Sequence, residues 1–269
     1  MYISISNNYA SFTCKTEGAE LISYKDAKDK EYLWQRDSKY WAKTSPVLFP
    51  HIGIEREKMI YNNKTYFMPR HGLVKDFNFQ ILKKGENSVT LYTESNSETK
   101  KAYPYDYMFT VRFSLLREKL EVKYCVYNKS DKDMPFLIGG HPAFFCPIVE
   151  GEKFTDYKLV FADEDKEDYI LNYADFDEKD TLLFEDFKNP TVRLMSTKSN
   201  VGVEMNFPDY KSIAFWTPTK KESPFICLEP WNGGTMEQLE ECDVLKKKYV
   251  QVLKAGEKKE YRFIFCPIR

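Results

Sequence analysis

From Phe109 to Leu115 the chain alternates apolar and polar residues without a break: Phe109, Val111, Phe113 and Leu115 against Thr110, Arg112 and Ser114. An extended backbone sends successive side chains to opposite faces, so four apolar groups share one face and the stretch reads as a half-buried strand. The same period of two runs through residues 120–126, 201–207 and 261–265. Strand signals therefore reach from one end of the chain to the other. The 20 Phe, 19 Tyr and 4 Trp reinforce them, because aromatic side chains suit a half-buried pleated surface.

Clusters of Gly, Asn and Asp separate the apolar runs at residues 84–88, 128–131 and 255–257, which implies antiparallel meanders. Helical periodicity is rare. Residues 236–239 have room for a turn or two of helix, and no series of strand-helix-strand units appears, which disfavours a doubly wound nucleotide fold. The acidic stretch 162–168 has strand-like sequence on both sides and reads as a surface loop, so residues 1–269 are expected to form a single all-β domain.

Forty Lys plus Arg against 41 Asp plus Glu leave a formal charge of -1, giving no global field for nucleic acid or an anionic membrane. Six scattered cysteines contain no CxxC pair, which disfavours a zinc site or a disulfide framework, and they are read as reduced. No basic region followed by an apolar run opens the chain, and no run of about 18 apolar residues occurs. The expectation is a soluble, cytoplasmic protein.

Three histidines occur, and two sit in unusual company: His71 in Pro69-Arg70-His71-Gly72, and His141 in Gly139-Gly140-His141-Pro142. The glycines open backbone conformations closed to other residues, and the proline restrains the histidine before it, a setting that can hold an imidazole at a fixed angle. Glu229 ends the apolar run Phe225-Ile226-Cys227-Leu228 and is followed by Pro230 and Trp231. A carboxylate so placed is expected to be partly buried and tunable for proton transfer. Plainer roles stand beside these: the two histidines as turn residues bonded to carbonyls, Glu229 as the partner of an arginine, and Trp231 as core. His51, beside Pro50, reads as packing or surface and is left out of the catalytic set. A metal site of two histidines and a carboxylate has the right residue types, but His71, His141 and Glu229 lie in separate segments without an i, i+4 pair.

The ordered set of segments Glu17-Gly18-Ala19-Glu20-Leu21, Pro46-Val47-Leu48-Phe49-Pro50, Arg70-His71-Gly72-Leu73, Gly140-His141-Pro142-Ala143-Phe144 and Leu228-Glu229-Pro230-Trp231-Asn232-Gly233 resembles the aldose 1-epimerase (galactose mutarotase) family, in particular its bacterial LacX-like branch. The resemblance spans nearly the whole chain. It implies a large antiparallel β-sandwich, the galactose mutarotase-like supersandwich, with a sugar in an open cleft on one sheet. It further implies that Glu229 takes the proton of the C1 hydroxyl while His141 gives one to the ring oxygen, that His71 binds the sugar near that oxygen, and that no cofactor is needed. Trp231, and with it Trp216 and Phe144, are candidates to cover the apolar face of the pyranose.

The chain departs from the family's pattern where Gly53-Ile54-Glu55-Arg56 stands in place of an arginine directly after a glycine, leaving Arg56 as the candidate substrate-binding arginine. Lys75 occupies a place where arginine is common and lacks the two-pronged donor geometry. The expected partner is a small aldohexose such as glucose or galactose, bound by a monomer or homodimer. Two other readings stay open. A hexose-6-phosphate 1-epimerase would need basic groups such as Arg56, Arg70 and Lys75, and a non-catalytic sugar-binding protein would keep the cleft without turnover.

Overall fold

A computed structural model describes residues 1–53, 57–234 and 242–269, with side-chain detail for all of these but Glu57. Nine strands form one antiparallel sheet, in the order Tyr169–Ile170, Tyr157–Phe161, Thr191–Ser196, Gly202–Asn206, Lys258–Ile268, Lys119–Asn128, Tyr107–Leu116, Ser88–Glu94 and Gln80–Lys84. The alternation that predicted strands is realised in this sheet: Phe109, Val111, Phe113 and Leu115 are buried, as are Leu120, Val122, Tyr124 and Val126 on the neighbouring strand.

The second large sheet runs Thr181–Glu185, Ser212–Trp216, Phe225–Asn232, Ile138–Gly140 and Val47–Leu48, with Ala143–Phe145 also paired to Phe225–Asn232. Rings from the two sheets pack against each other, Phe144 edge-on to Phe265 at 5.2 Å and Phe49 stacked on Phe109 at 4.8 Å. The result is the antiparallel β-sandwich expected. Each buried ring removes apolar surface from water worth about 2–3 kcal/mol, which explains a core so rich in Phe and Tyr.

The turn at residues 84–88 joins paired strands as expected. Those at 128–131 and 255–257 instead carry the chain out of and back into the nine-stranded sheet, because Met134–Phe136 pairs with Gln251–Leu253. The acidic stretch 162–168 connects the paired strands Tyr157–Phe161 and Tyr169–Ile170, and Asp163 within it accepts from the Lys188 and Asn189 backbone N–H groups. The one α-helix among the described residues is Tyr173–Lys179, capped by Asn172, and the turn expected at residues 236–239 lies outside them. No disulfide joins any of the six cysteines, all of them among the described residues. No helix among the described residues is long and apolar enough to cross a membrane.

Candidate active site

Strand Phe225–Asn232 is buried along its whole length and carries two short partners on one edge. Ile138 and Gly139 pair with Asn232 and Trp231, and Ala143, Phe144 and Phe145 pair with Cys227, Ile226 and Phe225. Both ladders keep one register, so the unpaired stretch between them brings His141 opposite Glu229, pinned by the Leu228 N–H donating to the Pro142 carbonyl at 3.0 Å. Residues directly opposite on antiparallel strands are close neighbours. His141 Nε2 and Glu229 Oε2 stand 3.2 Å apart, in contact though not aligned as a hydrogen bond.

The paired glycines before His141 act differently from the expectation. Neither has a positive φ; each is a close-approach position. A Cβ on Gly139 would lie 2.6 Å from Trp231 Cδ1, and one on Gly140 would lie 2.8 Å from the Phe263 ring. Conformational freedom matters at the other histidine, where His71 has φ 58° and Gly72 φ 80°. A Cβ on Gly72 would lie 2.3 Å from the Phe49 carbonyl oxygen. Leu73 N–H donates to that carbonyl at 2.8 Å, tying the loop to the sheet. The His71 ring therefore meets the His141 ring edge-on, with centroids 5.5 Å apart.

These groups adjoin a cleft of about 400 Å³ walled by Tyr40, Trp41, His71, His141, Trp216 and Pro218, with Lys43, Arg70, Lys75, Asp76 and Lys221 also on its lining. Trp41 stacks on His141 at 5.0 Å, and Trp216 stands edge-on to both rings. The loop carrying Trp41 is fixed from two sides: the Trp34 indole donates to the Trp41 carbonyl, and buried Glu20 accepts from the Thr44 and Ser45 backbone N–H groups. Glu229 is only 1% exposed and meets the cleft wall at His141.

Burial dominates the titration of the pair. It holds the His141 imidazolium off until about pH 3, with the Arg70 charge adding to the effect. It also pushes the Glu229 carboxyl well above the usual carboxylate range, opposed by Arg70 and by the Trp231 indole, which faces the carboxyl from outside hydrogen-bond geometry. His71 is likewise held well below its ordinary value by burial and by its neighbours His141 and Arg70. Burial thus disfavours the charged form of both groups, the imidazolium and the carboxylate. Polar atoms including Glu229 Oε2, His71 Nδ1 and Trp231 Nε1 are buried without a hydrogen-bond partner among the described residues.

His141, Glu229, His71 and Lys75 are brought to one place, Lys75 with its ammonium on Asp76 at 2.5 Å. Arg56 lies outside the described residues. The expectation that Trp231 covers the sugar needs correction. It shares a strand face with Glu229 but is 4% exposed and packs with Leu48, Ile52, Leu137 and Ala214. Phe144 is likewise core, whereas Trp216 does line the cleft. The sequence reading passed over Trp41, Lys43 and Lys221. The available signal was Tyr40-Trp41, two adjacent aromatics between Lys39 and Lys43 in a polar segment. His51 is buried and outside the cleft lining.

Donor atoms of His141, Cys227 and Glu229 lie within 4.8 Å of one another. Burial raises both the Cys227 thiol and the Glu229 carboxyl well above their ordinary values, so an ion held there would have to displace protons from them.

An antiparallel sandwich with a ring-walled cleft over a contacting imidazole and carboxyl defines a mutarotase-like protein of the sugar epimerase class. The family model described as Aldose 1-epimerase matches residues 1–266, and the chain belongs to that family. It is 34% identical to the plasmid protein LacX of Lactococcus lactis subsp. lactis, across 92% of this chain and 93% of the relative. Among solved structures, a galactose mutarotase related enzyme from Lactobacillus acidophilus superposes with a TM-score of 0.90 at 27% identity, covering 100% of this chain and 98% of that one. A galactose mutarotase-like protein from Lactobacillus casei also gives 0.90, at 25% identity, covering 99% and 100%.

Proposed function

We propose that this chain, working as one domain over residues 1–269, is an aldose 1-epimerase that interconverts the α and β anomers of a hexose, with Glu229 as base and His141 as acid. The observation that carries the reading is the contact of these two groups beside an aromatic cleft, 3.2 Å apart. Burial alone disfavours the charged form of each group. A C1 hydroxyl donating to Glu229 favours the carboxylate, and a ring oxygen accepting from His141 favours the imidazolium, so the bound sugar itself draws the pair into its working state.

Glu229 then takes the C1 hydroxyl proton, the bond from C1 to the ring oxygen breaks, and that oxygen receives the proton of His141. The open aldehyde turns about its C1–C2 bond, and the ring oxygen adds to the other carbonyl face while both protons return. Atoms and charge balance without a cofactor. His71 positions the sugar, Trp41 and Trp216 cover its apolar face, and Lys75 and Arg56 bind hydroxyls.

Polarimetry on freshly dissolved α-glucose and α-galactose tests this. Wild-type protein should speed the approach to equilibrium, with a rate that falls in acid as the pair takes up a second proton and falls in alkali as its last proton leaves, and Glu229→Gln should lower it by about 10²–10⁴-fold. Wild-type protein indistinguishable from buffer would sink the activity and leave a sugar-binding module.

A further inference from the structure

Resting on the epimerase reading, we infer that Glu20, which lies outside the cleft lining, is a positioning residue for the sugar site. The turn at residues 17–20 ties the wall bearing His71 and Lys75 to the wall bearing Trp41 and Lys43, and Glu20 is the link to the second wall.

One side of the turn is fitted to the segment that follows Lys75. Glu17 forms a bridge with Asn78, and the Gly18 N–H donates to the Phe77 carbonyl at 2.7 Å. Gly18 has φ 68°, and a Cβ there would collide with the Lys75 carbonyl, so both the angle and the close approach call for glycine.

Two residues on, the Glu20 side chain reaches the other wall. It is 2% exposed; its Oε1 accepts from the Thr44 N–H at 2.7 Å and the Ser45 N–H at 3.1 Å, while its Oε2 faces Lys15 Nζ at 2.9 Å. Thr44 passes the constraint on. Its carbonyl accepts from the Ala143 N–H at 2.8 Å, and its hydroxyl donates to the Trp34 carbonyl at 3.0 Å. Ala143 stands two residues after His141, and Trp41, three residues before Thr44, stacks on the His141 ring. Through Thr44, Glu20 therefore holds both the strand that follows the imidazole and the loop whose ring covers it.

A buried ion pair is a weak source of stability, because desolvating two charges offsets most of their attraction. What this carboxylate contributes is direction: charge-assisted bonds to two successive backbone N–H groups fix a loop that lies outside any strand. Residues 17–21 are among the segments that carry the family resemblance, yet none of them is acid, base or sugar contact, and the tie between the two walls gives them a role.

The test compares Glu20→Ala and Glu20→Gln with Asp163→Ala, since Asp163 is a similarly buried carboxylate on two backbone N–H groups, far from any cleft-lining position in its own loop. Loss of folded protein lowers the apparent kcat and leaves KM unchanged, so KM separates positioning from stability. With whichever of glucose and galactose the wild type turns over, Glu20→Ala should raise KM by about tenfold. Glu20→Gln, which keeps an acceptor oxygen without the charge, should raise it by about threefold, and Asp163→Ala should leave it unchanged. A wild-type KM in Glu20→Ala, or an equal rise in Asp163→Ala, overturns the inference and leaves the epimerase intact. If Glu20→Ala does not fold, Glu20→Gln against Asp163→Asn decides on the same terms. Should wild-type protein turn over no sugar, the proposed activity falls, and hydrogen exchange decides the tie alone. The Thr44, Ser45 and Ala143 amides of Glu20→Gln should then exchange at least about fivefold faster relative to strand Tyr107–Leu116, and wild-type ratios at all three overturn it.

Discussion

The clearest physical consequence of the site is a stability penalty in acid that belongs to one side chain. His141 is 5% exposed, and its folded-state pKa is about 3 against an ordinary 6.5. An unfolded chain takes up the imidazole proton near pH 6.5, whereas the folded chain resists until about pH 3. The contribution is therefore complete above 6.5 and drains away as pH falls through that window. At about 1.4 kcal/mol per pH unit, the 1.5 units between 6.5 and 5 remove about 2 kcal/mol. Glu229 works in the opposite direction, since its raised pKa makes the folded state bind the extra proton, so the wild-type slope mixes the two. Glu229→Gln removes the opposing part, and the depression at His141 rests on burial and Arg70, which that variant leaves in place. Urea unfolding at pH 7 and pH 5 should show Glu229→Gln losing about 2 kcal/mol more than Glu229→Gln/His141→Asn on acidification. Equal losses in the two proteins would refute a buried, neutral imidazole.

Three shorter predictions concern the walls and floor of the cleft. Trp41→Ala removes the ring stacked on His141 and should raise KM for the sugar by about 3–10-fold; steady-state kinetics showing no change in KM would remove Trp41 from the binding wall. Gly139→Ala puts a methyl 2.6 Å from Trp231 Cδ1 and 3.0 Å from the Pro230 carbonyl oxygen, and the overpacking should cost about 1–3 kcal/mol, seen as a Tm lower by several degrees; an unchanged Tm would show that the indole moves aside freely. Prolonged dialysis against a strong chelator should leave the epimerase rate unchanged, and a loss restored by added zinc would mean that His141, Cys227 and Glu229 hold a metal.

Much of this molecule is legible one segment at a time. The alternation at Phe109–Leu115 predicts a strand with its buried face, and the structure buries that face. His141 and Glu229 are singled out by their immediate neighbours, since proline and glycine beside a histidine, and a carboxylate ending an apolar run, are unusual in any fold. The mistaken expectations share a cause. Trp231 is a candidate to cover the sugar as an aromatic side chain, but whether such a side chain faces a cleft or a core depends on what the other strands bring over it, here Leu48, Ile52 and Leu137. Gly139 and Gly140 were assigned to unusual backbone angles, whereas the reason for their lack of side chains stands across the strand pair and the sandwich, in Trp231 and Phe263.

Periodicity of two is a property of the extended backbone, so the strands, their buried faces and the candidate acid and base follow from the order of residues alone. That His141 faces Glu229 does not, because two short ladders on either side of residue 141 must keep a common register along Phe225–Asn232, and register is a pairing between distant segments. The aromatic and cationic cleft depends on tertiary structure in the same way. Trp41 and Lys43, Arg70 and Lys75, and Trp216 and Lys221 come from three separate stretches of chain, and only closure of the sandwich places them around one imidazole.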